Sequence, residues 1–471
     1  MKSAKTSFSP QSRNVALVVA AAFFMQMLDG VVIVTALPEM AISFGVDTLA
    51  MSIGVTIYML AAAIFIPTAG WLADRFGDRR VFMGAIALFT LASLACGLAQ
   101  TLDQFVMARA VQGIGGAVMV PVGRIIVLRS AKKSEIVQAI GLIVWPALFA
   151  PVVGPAIGGF LTTYASWQWN FWINLPIGLL GLVLVARIVP ADGPARLTSF
   201  DWVGFLLCAL SLAGLLYGFE AFANGSVSQQ MALLLIVVGL MSGVLTVLWL
   251  RRRQHPLLHL DALRIQTFAT SEAYAGGALR LAINATPYLL PLFFQIAFGL
   301  DPFQAGGLVV AYFLGNLAMK TVTTRLLRLF GFRRILVVNG VLAALAIAGC
   351  GLLEAETPYV IVIAVLFIAG LTRSMQFTAL ATLAFADIDA EHRSSASTLS
   401  TMFQQISMVF GIALATGILN ASQVLSATVT LTLADFRIAF LLMAGICLAG
   451  SLATLRLPAD AGTEVSGHRL A

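Results

Sequence analysis

Two ionisable side chains, Asp29 and Arg109, lie deep inside long apolar runs. A charge at mid-membrane costs roughly 2.5–3.5 kcal/mol on insertion scales, so such a residue is a functional candidate by default. At about 1.5 Å of rise per residue, Asp29 lies about 14 residues, roughly 21 Å, into its run, in a hydrocarbon core about 30 Å thick. Arg109 lies about six residues into its own run from the opposite face, roughly 9 Å deep, which is the same level. Asp29 is therefore a candidate proton-carrying acid and Arg109 the cation that tunes it. Burial favours a neutral carboxyl and a neighbouring guanidinium favours a charged one. A permanent structural ion pair is the plainer alternative. Among the other charges within apolar runs, Glu272, Arg280, Lys320 and Arg373 stand out. The same rise puts Glu272 and Arg373 roughly 6 and 8 Å from one face, so they are expected to form a second ion pair. Arg280 falls near mid-depth, where it either holds an anionic group of a substrate or is neutralised by an acid elsewhere. Lys320 lies near a run's end, where snorkelling explains it.

The elements that must position these charges follow from composition. The 471 residues are 60% hydrophobic and 10% charged. Soluble domains carry roughly 25% charged residues, so there is too little charge here to coat a soluble surface, and the high apolar content excludes disorder. An all-α polytopic membrane protein remains. Long apolar runs predict spans near 15–37, 50–70, 81–99, 103–128, 137–163, 169–189, 200–221, 231–250, 268–298, 304–326, 334–353, 358–382, 395–422 and 436–456. The first run is too long for a signal-peptide core and lacks a small-residue cleavage site, so it reads as a retained helix. With the N-terminus inside, 23 of the 28 basic residues fall on cytoplasmic segments. Positive charge resists translocation, and one missed helix would scramble that alternation. The net charge of +7 thus reflects topology and does not call for nucleic acid. Cys96, Cys208, Cys350 and Cys447 lie in apolar runs without metal-ligand or disulfide spacing, so no metal is expected.

Several segments carry specific motifs. The loop after the second run reads Gly70-Trp-Leu-Ala-Asp74-Arg75-Phe-Gly77-Asp-Arg79-Arg80, and Gly70 and Gly77 suit a tight turn. A second copy, Thr324 to Arg334, keeps Gly331 where the first has Gly77 but carries Arg328 where the first has Asp74. The fifth run contains Gly141, Ala150, Gly154, Pro155 and Gly158. Pro155 lacks an N–H and bends a helix, while the small residues permit close helix approach. The first run reads Phe24-Met25-Gln26-Met-Leu-Asp29-Gly30, the fourth Arg109-Ala-Val-Gln112-Gly113-Ile-Gly115-Gly116, and the sixth begins Ser166-Trp-Gln-Trp169-Asn-Phe-Trp172-Ile-Asn174-Leu-Pro176.

Together these motifs resemble the major facilitator superfamily, and within it the 14-helix drug:proton antiporters of the EmrB/QacA type, with Met375 to Thr378 and the Arg280 region nearest the MdtD-like branch. The fifth-run pattern resembles the antiporter motif of that family, with Ala150 where glycine is usual. The resemblance implies a major facilitator fold with 14 transmembrane helices arranged 6+2+6. The halves would be residues 1–190 and 266–471, with 191–265 supplying two inserted helices and a cytoplasmic linker. It implies that Gly70, Asp74, Arg75, Gly77, Arg79 and Arg80 form a cytoplasmic gating loop, and that Asp74 and Arg75 bridge to the opposite half. It further implies proton-coupled export of small amphipathic compounds by alternating access, with no enzymatic activity. No cofactor is expected beyond the proton-motive force, and no Walker loop supports ATP drive. Phe24, Met25, Gln26, Tyr58, Gln112 and Arg280 are expected to line the substrate cavity. Expected partners are a small-molecule substrate, protons and the lipid bilayer, with a periplasmic adaptor protein left open. The expected location is the bacterial inner membrane, with both termini cytoplasmic. A dedicated metabolite exporter, a proton symporter and a non-transporting membrane sensor are the alternatives.

Overall fold

Apolar runs too long for strands, interrupted by short charged loops, become helices in the computed structural model. It describes residues 9–466 apart from 131–134, 192–198, 225–227, 254–256, 259, 390–392 and 427–429. The chain divides into two compact units, 1–200 and 201–471. The first holds α1 (Pro10–Phe44), α2 (Ser52–Phe65), α3 (Thr68–Phe76), α4 (Asp78–Leu98), α5 (Leu102–Ser130), α6 (Ile136–Tyr164), α7 (Trp169–Trp172) and α8 (Asn174–Ile188). The second holds α9 (Trp202–Asn224), α10 (Gln229–Arg252), α11 (Gln266–Glu272), α12 (Ala275–Ile296), α13 (Pro302–Met319), α14 (Thr323–Gly351), α15 (Tyr359–Ala384), α16 (Arg393–Ser426), α17 (Leu433–Ala453) and the short α18 (Thr463–Ser466). No strand occurs among the described residues. Eleven of the described helices are long and apolar enough to cross a membrane, or twelve if α2 and α3 form one span bent by 58°. Pro67 at that bend lacks the N–H a continuous helix would use.

In unit 1, α1 lies along α6, and α5 is flanked by α2 and α4. Small residues set these spacings. A Cβ on Gly158 of α6 would stand 2.7 Å from the Val32 carbonyl and 2.7 Å from the Thr35 hydroxyl of α1. One on Gly115 of α5 would stand 2.9 Å from the Phe89 backbone nitrogen of α4. Ala150 packs with Leu28 and Val32 in the same α1–α6 seam. The start of α1 is tied down by Glu135, which accepts from the Ser9 N–H at 3.0 Å and from the Ser12 hydroxyl at 2.9 Å.

In unit 2, α9 and α10 pair with each other, and α9 also packs on α16 through the Phe219 and Phe410 rings. Asp201 brackets this pair. Its carboxylate accepts from the Gly204 N–H at 3.0 Å, the Trp249 indole at 2.9 Å and the Leu257 N–H at 3.1 Å. Replacing a buried acceptor strands its donors, so Asp201→Ala should cost about 2–3 kcal/mol, read as a lowered Tm of the purified protein. An unchanged Tm would show that the bracket contributes nothing. Cys96, Cys208, Cys350 and Cys447 are all buried free thiols.

Candidate functional site: a buried ion pair in each unit

The two copies of the turn motif differ in charge yet share backbone. Gly77 has φ +92° and Gly331 has φ +72°, the left-handed range in which a Cβ would be strained. Around the first copy, Asp74 lies 3.6 Å from Arg129 at the end of α5, which also pairs with Asp78. Arg79 donates to the Ala186 carbonyl of α8, and Arg75 and Arg80 are exposed. Gly70 has open space around it. The acid of the motif is thus paired with a cation of its own unit. Of the antiporter pattern, Ala150, Gly154, Pro155 and Gly158 are buried on α6, and Gly154 faces Val31 of α1. Gly141 falls in a stretch of α6 whose side chains lie outside the described residues, as do His255 and His259 of the linker.

The pairing expected from depth alone is present. Arg109 Nη1 is 2.7 Å from Asp29 Oδ2, and both side chains are fully buried. The other carboxylate oxygen accepts from Gln112 Nε2 at 2.9 Å and Asn174 Nδ2 at 2.8 Å. Both amides also reach the Ser93 hydroxyl, at 2.7 and 3.2 Å. Arg109 Nε donates to the Gly54 carbonyl at 3.1 Å, and the guanidinium lies 4.3 Å from the centroid of the Tyr58 ring. One carboxylate therefore joins α1 to α5 and α8, the two amides that hold it reach α4, and its arginine reaches α2. Three polar atoms around it have no partner among the described residues: Gln26 Oε1, Arg109 Nη2 and Asn174 Oδ1. The low dielectric makes such a carboxylate sensitive to any change in its neighbours.

The cavity residues expected from sequence separate in the structure. Gln112 belongs to the Asp29 cluster, Tyr58 lies under Arg109, and the Tyr58 hydroxyl and the Gln26 amide both lie against Gly116. Met25 is fully buried, and Phe24 packs in the α1–α6 seam. Arg280 is fully buried in unit 2.

There one expectation is corrected. Glu272 pairs with Arg280 and not with Arg373: Arg280 Nη1 lies 2.5 Å from Glu272 Oε2 and Nη2 lies 3.1 Å from Oε1. Ser400 of α16 completes the carboxylate at 2.9 Å, and Gln404 holds Ser400 at 3.0 Å. The cause is the break between α11 and α12, which turns Glu272 back towards the following helix. Arg373 instead stands over the rings of Tyr312, Phe313 and Phe377, with centroids 5.8, 5.8 and 5.1 Å away. Removing one member of a buried pair strands the other, so Arg280→Met should cost about 3–5 kcal/mol. Arg373→Met breaks no ion pair and loses only ring contacts, so it should cost no more than about 1–2 kcal/mol. Thermal unfolding of both variants checks the assignment, and the reverse ranking would refute it.

Ser93, Asn174 and Ser400 complete these clusters and were not singled out as site residues by sequence. Asn174 offered a signal, an amide inside an apolar run, whereas lone serines in membrane helices are too common to give one.

Apolar helices that bury a charged cluster in each unit are what a polytopic membrane transporter requires. The family model of the Major Facilitator Superfamily matches residues 19–412 and, in a second match, 273–469, and the chain belongs to that superfamily. It is 37% identical over 95% of both chains to the protein called "Putative multidrug resistance protein MdtD" in Klebsiella pneumoniae strain 342. To the protein of the same name in Escherichia coli O6:H1 it is 35% identical over 96% of both chains. Among solved structures it resembles a POT family transporter in complex with 5-aminolevulinic acid, with a TM-score of 0.71, 13% identity and 96% of each chain covered. It also resembles a D-xylose-proton symporter, with a TM-score of 0.68, 13% identity and 95% and 98% of the two chains covered. At such identities the structural likeness speaks for the fold.

Proposed function

We propose that this transporter exports small amphipathic compounds in exchange for protons, by alternating access of its two halves. Asp29 is the proton carrier, and Arg109 sets when the carboxyl takes and releases its proton. The observation that carries the reading is the Asp29 carboxylate, wholly buried among one guanidinium, two amides and a hydroxyl. Such a group is costly to keep in a membrane unless its charge is used. The multidrug-resistance name of the relatives supports the substrate class.

Fourteen spans arranged 6+2+6 are part of the reading. Beyond the twelve that satisfy length and hydropathy, α6 supplies one, and the broken α11–α12 pair supplies another. The halves are residues 1–190 and 266–471, with 191–265 as the inserted pair and linker. Both termini lie in the cytoplasm of a bacterial cell with the protein in its inner membrane. The proton-motive force drives the cycle without a cofactor, and a periplasmic adaptor is an optional partner. The loop from Gly70 to Arg80 gates the cytoplasmic side, and the small-residue seam of α6 against α1 seals the first half.

The test is compound-evoked proton release from inside-out vesicles across a panel of amphipathic compounds, comparing wild type with Asp29→Asn. Release in wild type that vanishes in the variant is expected. Proton release undiminished in the variant would remove Asp29 from the mechanism, and no release with any compound would remove antiport of this class.

A further inference from the structure

Arg280 is neutralised by Glu272, which leaves the cations of unit 2 unequally provided for. Arg373 is half-buried in the middle of α15, and its Nε is buried without a partner. Among the described residues it joins no ion pair and donates no hydrogen bond. It lies on the helix face that carries the buried Leu366 and Ala369, away from the exposed Val360, Ile361, Phe367 and Ile368. A second cation stands beside it. Lys320 at the end of α13 donates to the Thr378 hydroxyl of α15 at 2.7 Å, and the charge of Arg373 bears on it. The exposed Lys320 and the half-buried Arg373 thus act on each other as like charges, and among the described residues neither joins an ion pair. Three rings, Tyr312, Phe313 and Phe377, surround the guanidinium. The arrangement is held rigidly, because the α13–α15 crossing is closed by glycines: Gly315 abuts the Phe367 carbonyl and Gly370 the Tyr312 carbonyl.

Cation–π contact offsets part of the cost of a buried guanidinium but supplies no negative charge. A guanidinium and an ammonium with free donors match a carboxylate or a phosphate-like group. Tyr312 and Phe313 are buried and back the guanidinium, while the partly exposed Phe377 offers flat apolar area to the body that carries it.

We propose that Arg373 and Lys320 form an anion site that takes the acidic group of an aromatic or otherwise flat transported compound, with the partly exposed Phe377 receiving its apolar body. The substrate class is then amphipathic anions. This rests on the transporter reading but not on the proton role of Asp29.

The experiment uses the full chain in phosphatidylcholine nanodiscs, titrated calorimetrically with 2-naphthoate and with its neutral counterpart 2-naphthamide. Naphthoate is expected to bind saturably, and naphthamide at least about tenfold more weakly. Arg373→Gln and Lys320→Gln should each weaken naphthoate by roughly tenfold. The titration is made without a proton gradient, so its outcome stands apart from whether Asp29 carries the proton. The comparison of naphthoate with naphthamide in wild type stands even if a variant fails to fold. No naphthoate binding, equal binding of the amide, or undiminished binding by the double variant would overturn the proposal. Inorganic phosphate bound as tightly as naphthoate would show that the Phe377 ring has no part and would overturn it too. Replacing part of the lipid with phosphatidylglycerol tests the other source of the same chemistry. If that lipid abolishes naphthoate binding, the site belongs to a headgroup and the substrate assignment falls.

Discussion

Asp29→Asn is expected to abolish compound-evoked proton flux while the protein is still made and inserted. The amide keeps the size of the side chain and an oxygen that can accept from Gln112 and Asn174, which now donate at 2.9 and 2.8 Å. It cannot carry a proton on and off. Loss of charge opposite a buried arginine ordinarily costs about 3–5 kcal/mol. Here the cost should fall at the low end, because Arg109 retains the Gly54 carbonyl, the Gln112 amide oxygen at 2.5 Å and the faces of Tyr58 and Phe171. There is also a functional reason for tolerance. A carrier that is protonated once per cycle spends part of it neutral, so the fold must survive an uncharged side chain there. Vesicle proton release measured beside thermal unfolding separates the two effects. A variant that unfolds outright would argue for a permanent structural ion pair and against a carrier.

A large effect on folding is expected at Gly370. A Cβ there would run into the Tyr312 carbonyl of α13, a backbone atom that has no rotamer with which to yield. Gly370→Val should therefore destabilise by more than about 4 kcal/mol, or prevent accumulation of folded protein. Gly445 on α17 has nothing within 4 Å of its would-be Cβ, and it is exposed. Gly445→Ala should change stability by no more than about 1 kcal/mol, in the direction of helix propensity. Size-exclusion profiles and thermal unfolding of the two variants make the comparison. Similar behaviour of both would mean that the α13–α15 crossing is not held by backbone contact.

Much of this could be read before any coordinates. Apolar runs placed the helices because a continuous run of about 20 apolar residues satisfies its own backbone groups in hydrocarbon only as a helix. Depth arithmetic brought Asp29 level with Arg109, since α1 and α5 are each continuous at those residues. The alignment of Gly331 on Gly77 is matched by positive φ at both. The same arithmetic failed at Glu272 because it assumed one straight helix over 268–298. On such a helix Glu272 and Arg280, eight residues apart, would be about 12 Å apart along the axis. The break at Ala273 and Tyr274 removes that separation, and the sequence there has no proline to announce it. Ser93 and Ser400 were hidden for a different reason. A polar residue in an apolar run reveals its type, while the carboxylate it serves is fixed only when distant helices pack.

The four native thiols have a practical consequence. Because Cys96, Cys208, Cys350 and Cys447 are all buried, the native sequence already offers a quiet background for maleimide and spin-label chemistry. Gln100 in the first unit and Glu356 in the second are exposed positions at helix ends. Labels introduced at those two sites would report the separation of the units directly, with and without a proton gradient, in a chain that has lost none of its own cysteines.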